Sequence, residues 1–161
     1  MTNVAYECIT QSMVVPFIES TKSVFSTMLG SDVVVASEDA GRGNIAFDIS
    51  GIISFSGSIQ GTAVISLEKE VALSIAETLL GTRPSKIDDD VRDLVGELAN
   101  MIGGNSKERL SNSDVALGLP TVVTGKGHEV SFEPGAQVRK IHFETQWGPI
   151  AIEIGMRAPK S

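Results

Sequence analysis

Five residues, Asp93, Glu97, Asn100, Gly104 and Lys107, recur at steps of four, three, four and three, the spacing that aligns side chains along one stripe of an α-helix. Two of them could do chemistry together. A Glu carboxylate one turn from an Asn carboxamide sets an anion beside a group that both donates and accepts hydrogen bonds. Opposite lie Val91, Leu94, Val95, Leu98 and Ile102, the apolar face of the same helix. The simplest reading of the polar stripe is a solvated surface, but two details point further. Asn is a mediocre helix former because its side chain competes for backbone groups, yet Asn100 sits mid-helix between Ala99 and Met101, where capping cannot account for it. Gly96, Gly103 and Gly104 each cost about 1 kcal/mol against Ala in a helix interior, which implies that another backbone or a partner comes close. The stripe then reads as a docking surface.

Other chemistries find little support. His128 and His142 stand 14 positions apart with no third ligand at metal spacing, so they read as exposed or hydrogen-bonded structural histidines, and no metal of the chain's own is expected. The single Cys8 cannot form an internal disulfide and reads as a buried small hydrophobe, which suits a reducing compartment. Gly41-Arg42-Gly43-Asn44 and Gly125-Lys126-Gly127 match no phosphate-binding motif and read as hairpin turns, and the Gly-x-Ser-x-Gly elbow of a serine hydrolase is absent. A formal charge of −7, from 13 Lys and Arg against 20 Asp and Glu, with no basic cluster, argues against a nucleic-acid partner. Glu19, Glu68, Glu77 and Glu97 interrupt the apolar runs well short of the ~18 residues of a membrane span, and Met1 to Val4 lack the basic region of a secretory signal. A cytoplasmic protein without a membrane partner is expected.

The 161 residues fit one domain spanning 1–161, since a chain of roughly 150 residues buries about 70% of its unfolded surface. Helical spacing runs through residues 3–29, with Ile9, Met13, Phe17, Val24, Met28 and Leu29 on one face and Gly30 as the stop. Pro16 implies a kink, or a second helix starting near Val15. A short strand follows at 32–36, then β-rich runs at 45–55 and 62–67 that should pair as an antiparallel hairpin. Val71, Leu73, Ile75, Ala76, Leu79 and Leu80 restore a helical period over 68–80, closed by Gly81. The stripe-bearing helix starts almost at once. Ser85-Lys86-Ile87-Asp88 resembles a capping box, Asp88, Asp89 and Asp90 suit the positive end of the helix dipole, and Lys107 and Arg109 complement the other end. Strands at 121–124, 137–145 and 149–154 complete the chain, with Trp147 packing at a hairpin end.

Both halves therefore read helix, strand, strand, strand. Their last strands also look alike, Gly61-Thr62-Ala63-Val64-Ile65 against Gly148-Pro149-Ile150-Ala151-Ile152, which points to an internal duplication. The expected fold is α+β, an antiparallel sheet built from two αβββ-like halves with long helices packed on it.

The segment Asp93-Leu94-Val95-Gly96-Glu97-Leu98-Ala99-Asn100-Met101-Ile102-Gly103-Gly104-Asn105-Ser106-Lys107 closely resembles the signature of the CheX and CheC family of chemotaxis phosphatases, an acidic residue or Ser, three residues, Glu, two residues, Asn. Ile49 to Gly57, Gly61 and Glu70-Val71-Ala72 resemble the CheX branch, so the likeness covers at least residues 45–111. The family proline that follows the Asn by about twenty residues is matched only loosely by Pro120.

The resemblance implies hydrolysis of the aspartyl phosphate on a CheY-like receiver domain, whose active site receives Glu97 and Asn100. It implies no cofactor of the chain's own, because the receiver supplies Mg²⁺ and a Lys, and the missing component is a water in line with phosphorus. Asn100 would hold that water and Glu97 would pair with the receiver's Lys, while Asp93, Gly104 and Lys107 belong to the docked face. Aligning Gly30 with Gly103 sets Val24 opposite Glu97 and Thr27 opposite Asn100, so one site per chain is expected, together with the homodimer of the CheX type. The rival reading is a non-catalytic module that only binds a regulator or another signalling partner.

Overall fold

The computed structural model describes residues 6–7, 11–40, 47–110, 114–132 and 137–159. In chain order the elements are β1 (Tyr6–Glu7), α1 (Gln11–Leu29), β2 (Val34–Ala40), β3 (Phe47–Gly57), β4 (Gln60–Leu67), α2 (Lys69–Leu80), α3 (Asp89–Arg109), β5 (Val115–Leu117), β6 (Thr121–His128), β7 (Val138–Thr145) and β8 (Gly148–Pro159). The strands form an antiparallel sheet in the order β2-β7-β8-β4-β3, beyond which β5 and β6 both pair with β3, while β1 pairs with the end of β8. The α+β class read from the sequence is the one observed.

The order has an internal two-fold logic. Exchanging β2 with β6, β3 with β7 and β4 with β8 leaves the pairing scheme unchanged, so α1-β2-β3-β4 and α3-β6-β7-β8 are equivalent units. The two central strands meet with Ile65 opposite Ile152, the last residues of the two similar pentapeptides. Of the residues that the sequence comparison equates, this one pair also faces each other across the antiparallel strands, and β1, α2 and β5 are additions to the repeat.

Side chains alternate across the strands, and the helix-facing set is almost entirely aliphatic or aromatic. Ile49, Ile53 and Phe55 of β3, Ala63, Ile65 and Leu67 of β4, Ile141 and Phe143 of β7, and Ile150, Ile152, Ile154 and Met156 of β8 are buried with Val14, Phe17, Val24 and Phe25 of α1. Phe17 meets Phe55 edge-on with ring centres 5.7 Å apart, and Trp147, in the β7–β8 turn, lies 6.4 Å from the ring of Phe25 at a hairpin end, as expected. His128 is hydrogen-bonded on both ring nitrogens, to the Gly125 carbonyl at 2.7 Å and to Ser50 Oγ at 2.6 Å, and Ser50 bonds on to Ser66 at 2.7 Å. It ties β6 across β3 to β4, a structural role.

Several boundaries differ from the sequence reading. The first helix starts at Gln11 instead of residue 3, because Tyr6 and Glu7 pair with Ala158 and Pro159 of β8. Pro16 is accommodated inside the single helix α1, so no second helix starts at Val15. The strand placed at 32–36 is β2, Val34–Ala40, and carries a register shift between Val35 and Ser37. Gly125 and Gly127 are not a hairpin turn. They lie within β6, at φ of 141° and 71°, where the register against β3 shifts between Phe47 and Ile49. Strand β5 was not foreseen. Cys8, Ile9 and the turn at 41–44 lie outside the described residues.

The cap of α3 also needs correction. Its N-cap is Asp88, whose carboxylate accepts a hydrogen bond from the Val91 N–H at 3.0 Å, so Ser85 does not open a capping box. Asp89 and Asp90 occupy the first turn and Lys107 and Arg109 the last, as the dipole favours.

Candidate functional site

Helix α3 is gripped on two sides. Val91, Val95, Leu98 and Ile102 are buried, with Leu94 half-buried, and the helix packs on α1 and across β3, β5 and β6. The glycines set how close it comes to the sheet. A Cβ on Gly103 would lie 3.1 Å from Ile53 Cγ1, and one on Gly96 would lie 3.3 Å from Val122 Cγ2. From the other side, Gly51 of β3 leaves room for Ala99 and the Val95 carbonyl. Gly96 and Gly103 are thus explained by the chain's own sheet, which decides between the two neighbours the sequence left open, and they are no evidence of a partner. Gly104 is different. It is half-exposed, and a Cβ there would meet only Leu117 Cδ1 at 4.0 Å.

The structure brings the five stripe residues to one surface. Asp93 and Glu97 are exposed, and Asn100, Gly104 and Lys107 are half-buried, all within the unbroken helix 89–109. Among the described residues, no hydrogen bond or ion pair engages the side chains of Asp93, Glu97, Asn100 or Lys107. The neighbouring Arg92 is occupied, by Asp89 and by the Ile87 carbonyl at 3.1 Å. The stripe is therefore a row of polar groups whose bonding capacity is left to water or to a partner. A carboxylate and a carboxamide three residues apart have Cβ atoms about 5–6 Å from each other, so they can engage two groups of one small target at once.

A helix is a rigid mount for such a pair. Asn100 follows Ala99, which touches β3, and precedes Met101 and Ile102, so its backbone is fixed by core contacts on both sides. The equivalent face of α1 carries no such pair: Val24 is buried and Thr27 is exposed. Among the described residues no group of three or more His, Cys, Asp and Glu side chains could hold a metal ion, and no helix is long and apolar enough to cross a membrane.

Of the sheet edge beside the stripe, the strand at 121–124 was legible in the sequence, but neither β5 nor the connection between them was. Leu117 of β5 lies against Gly104 and Val122 of β6 against Gly96, so the three residues joining β5 to β6 run past the middle of the helix, where Asn100 stands. The only sequence signal was an apolar residue before Pro120 in Leu117-Gly118-Leu119-Pro120.

The family profile described as "Chemotaxis phosphatase CheX" matches residues 49–144, more than half of the chain and the whole of α3. The chain belongs to the CheX family. A curated relative, the CheY-P phosphatase CheX of Thermotoga maritima, is 30% identical over 78 residues, 47% of this chain and 50% of the relative. The match thus spans half the length of that relative. Among solved structures, the chemotaxis protein CheX of Vibrio vulnificus is 32% identical with a TM-score of 0.83, covering 89% of this chain and 98% of that one. The CheX–CheY–BeF3–Mg²⁺ complex of Borrelia burgdorferi, 23% identical, shares the fold at a TM-score of 0.71 over 89% of this chain and 97% of the matched one. The fold described above is thus shared with both solved structures over 89% of this chain.

Proposed function

We propose that the chain hydrolyses the aspartyl phosphate of a CheY-like response regulator by presenting Glu97 and Asn100 to the regulator's phosphorylation site. The observation that carries this reading is the pair itself: a carboxylate and a carboxamide one turn apart on the outer stripe of a packed helix, with no bonding partner among the described residues of their own chain. Its support from relatives is that the Thermotoga maritima protein is a CheY-P phosphatase and that the Borrelia burgdorferi one forms a complex with CheY, BeF3 and Mg²⁺.

An acyl phosphate is already activated, so the reaction needs little beyond a well-placed nucleophile. The Asn100 carboxamide oxygen accepts a hydrogen bond from a water while its N–H donates to a neighbouring oxygen, which fixes that water in line with phosphorus. The water oxygen bonds to phosphorus as the bond from phosphorus to the carboxylate oxygen breaks. The products are the regulator's free carboxylate and inorganic phosphate. Glu97 pairs with a cationic side chain of the regulator and sets the depth of insertion, a positioning role. Mg²⁺ belongs to the receiver, and the chain contributes no cofactor. Asp93 and Lys107 extend the docked face, and Gly104 lets the regulator's backbone approach.

Within this reading the chain is a single cytoplasmic domain that pairs with a second copy through its sheet. The outer strand β2 favours that pairing, with Val34 64% exposed. The deciding experiment follows phosphate release from a phosphorylated CheY-like receiver. Asn100→Ala is expected to slow release ~10²–10³-fold, the usual consequence of removing one polar group from a preorganised site, with folding intact. An unchanged rate overturns the assignment. Binding without accelerated release would favour a non-catalytic regulator-binding module.

A further inference from the structure

We propose that Leu119 is the apolar anchor that seats the receiver domain beside Asn100. The inference rests on the receiver-binding reading of the α3 stripe and adds a contact that lies outside the helix. Leu119 is 91% exposed, the highest value among the large hydrophobic residues described as exposed. A lone exposed Leu is ordinary in itself, so the inference depends on where this one stands and on what holds it there.

The position follows from two packing contacts. Leu117 meets Gly104 and Val122 meets Gly96, which brackets residues 118–120 alongside Asn100, midway between those glycines on α3. The exposure is built into the backbone. Strands β5 and β6 pair with β3 as one interrupted edge, with Leu117 opposite Phe55 and Thr121 opposite Ile52. Three residues, Gly118, Leu119 and Pro120, thus face two, Ile53 and Ser54. The Gly118 N–H holds the Ser54 carbonyl at 2.9 Å, so the excess length is displaced outward at Leu119. Pro120 cannot donate to the ladder and keeps Leu119 extended. The other large apolar residues of this edge are less exposed: Val115 is buried, Leu117 and Val122 are half-buried and packed on the core, and Val123 is half-buried.

The stripe has a need that Leu119 meets. Exposed polar and charged groups orient a partner but contribute little affinity when water reaches them from every side. Interfaces that hold combine a desolvated apolar anchor with polar groups at its border. The occupant assigned to Leu119 is apolar surface of the receiver bordering its phosphoaspartate, so that Leu119 contributes affinity while Asn100 acts on the phosphoryl group.

The test measures binding of a CheY-like receiver loaded with beryllofluoride and Mg²⁺ to the wild type and to Leu119→Ser, Leu119→Met and Asn100→Ala, together with the kinetics of phosphate release. Leu119→Ser is expected to weaken binding and raise KM about tenfold or more, the scale of a buried Leu side chain, with kcat within twofold. Leu119→Met, which keeps the apolar volume, is expected to bind within threefold of wild type. Full exposure of Leu119 means that neither variant threatens folding. Unchanged binding by Leu119→Ser overturns the proposal, and if Asn100→Ala still slows phosphate release ~10²–10³-fold, the phosphatase reading stands without it. Failure of the wild type to bind the loaded receiver overturns both.

Discussion

Gly51 of β3 lies directly beneath Ala99 of α3, so closely that a Cβ on Gly51 would stand 2.9 Å from the Ala99 Cβ and 2.9 Å from the Val95 carbonyl oxygen. Backbone carbonyls cannot move aside as a flexible side chain can, so Gly51→Ala must lift the helix away from the sheet. Overpacking of this kind costs about 1–3 kcal/mol, which a fall in the urea midpoint at constant slope would show. The variant also tests the mount. Asn100 is the next residue after Ala99, and misplacement by about 1 Å can cost ~10²-fold, so dephosphorylation should fall at least tenfold under conditions where the variant remains folded.

The same contact separates what the sequence could show from what it could not. The period of Val91, Val95, Leu98 and Ile102 identifies the buried side of α3, and the stripe from Asp93 to Lys107 is its geometric complement, so both were legible from spacing alone. The glycines signalled a close approach without naming the neighbour. Helix arithmetic cannot distinguish a chain's own sheet from a partner, and for Gly96 and Gly103 the neighbour is the sheet. Strands β1 and β5 were invisible because two or three residues carry no period, and their existence depends on β8 and β3 beside them. Gly125 and Gly127 read as a turn because glycine marks positive φ equally at a turn and at an irregularity within a strand, and only pairing with β3 decides between them.

Asp88 and Ser85 offer a direct check on the corrected helix start. Both residues suit an N-cap, but it is the Asp88 carboxylate that takes the Val91 N–H. Asp88→Ala should therefore destabilise the fold by about 1 kcal/mol, within a range of roughly 0.5–2, and Ser85→Ala should leave it within about 0.5 kcal/mol of wild type. Thermal or urea unfolding of the two variants distinguishes them.

For Glu97 the expectation is kinetic. An exposed carboxylate that pairs with a cation on the partner steers encounter and fixes orientation, and its contribution is screened by salt. Glu97→Gln should raise KM for the phosphorylated receiver with a smaller effect on kcat. The rise of KM between low and physiological ionic strength should also be shallower in the variant. A loss confined to kcat would instead make Glu97 a participant in the chemical step.

Glu153 provides a test of the sheet that is independent of the α3 stripe. It is buried in β8, directly opposite Lys140 of β7, also buried, and desolvation raises its pKa above the ordinary 4.5 while the Lys140 charge partly opposes the shift. Because the folded-state value is the higher one, the folded chain binds more protons than the unfolded chain between pH 4.5 and that raised value. The Glu153 contribution to stability is therefore fully present below pH 4.5 and is lost as pH rises through the window. Glu153→Gln should remove this downward slope in a plot of unfolding free energy against pH. Urea unfolding of the wild type and of Glu153→Gln at a series of pH values reads this slope, and an unchanged slope in the variant would assign it to other groups.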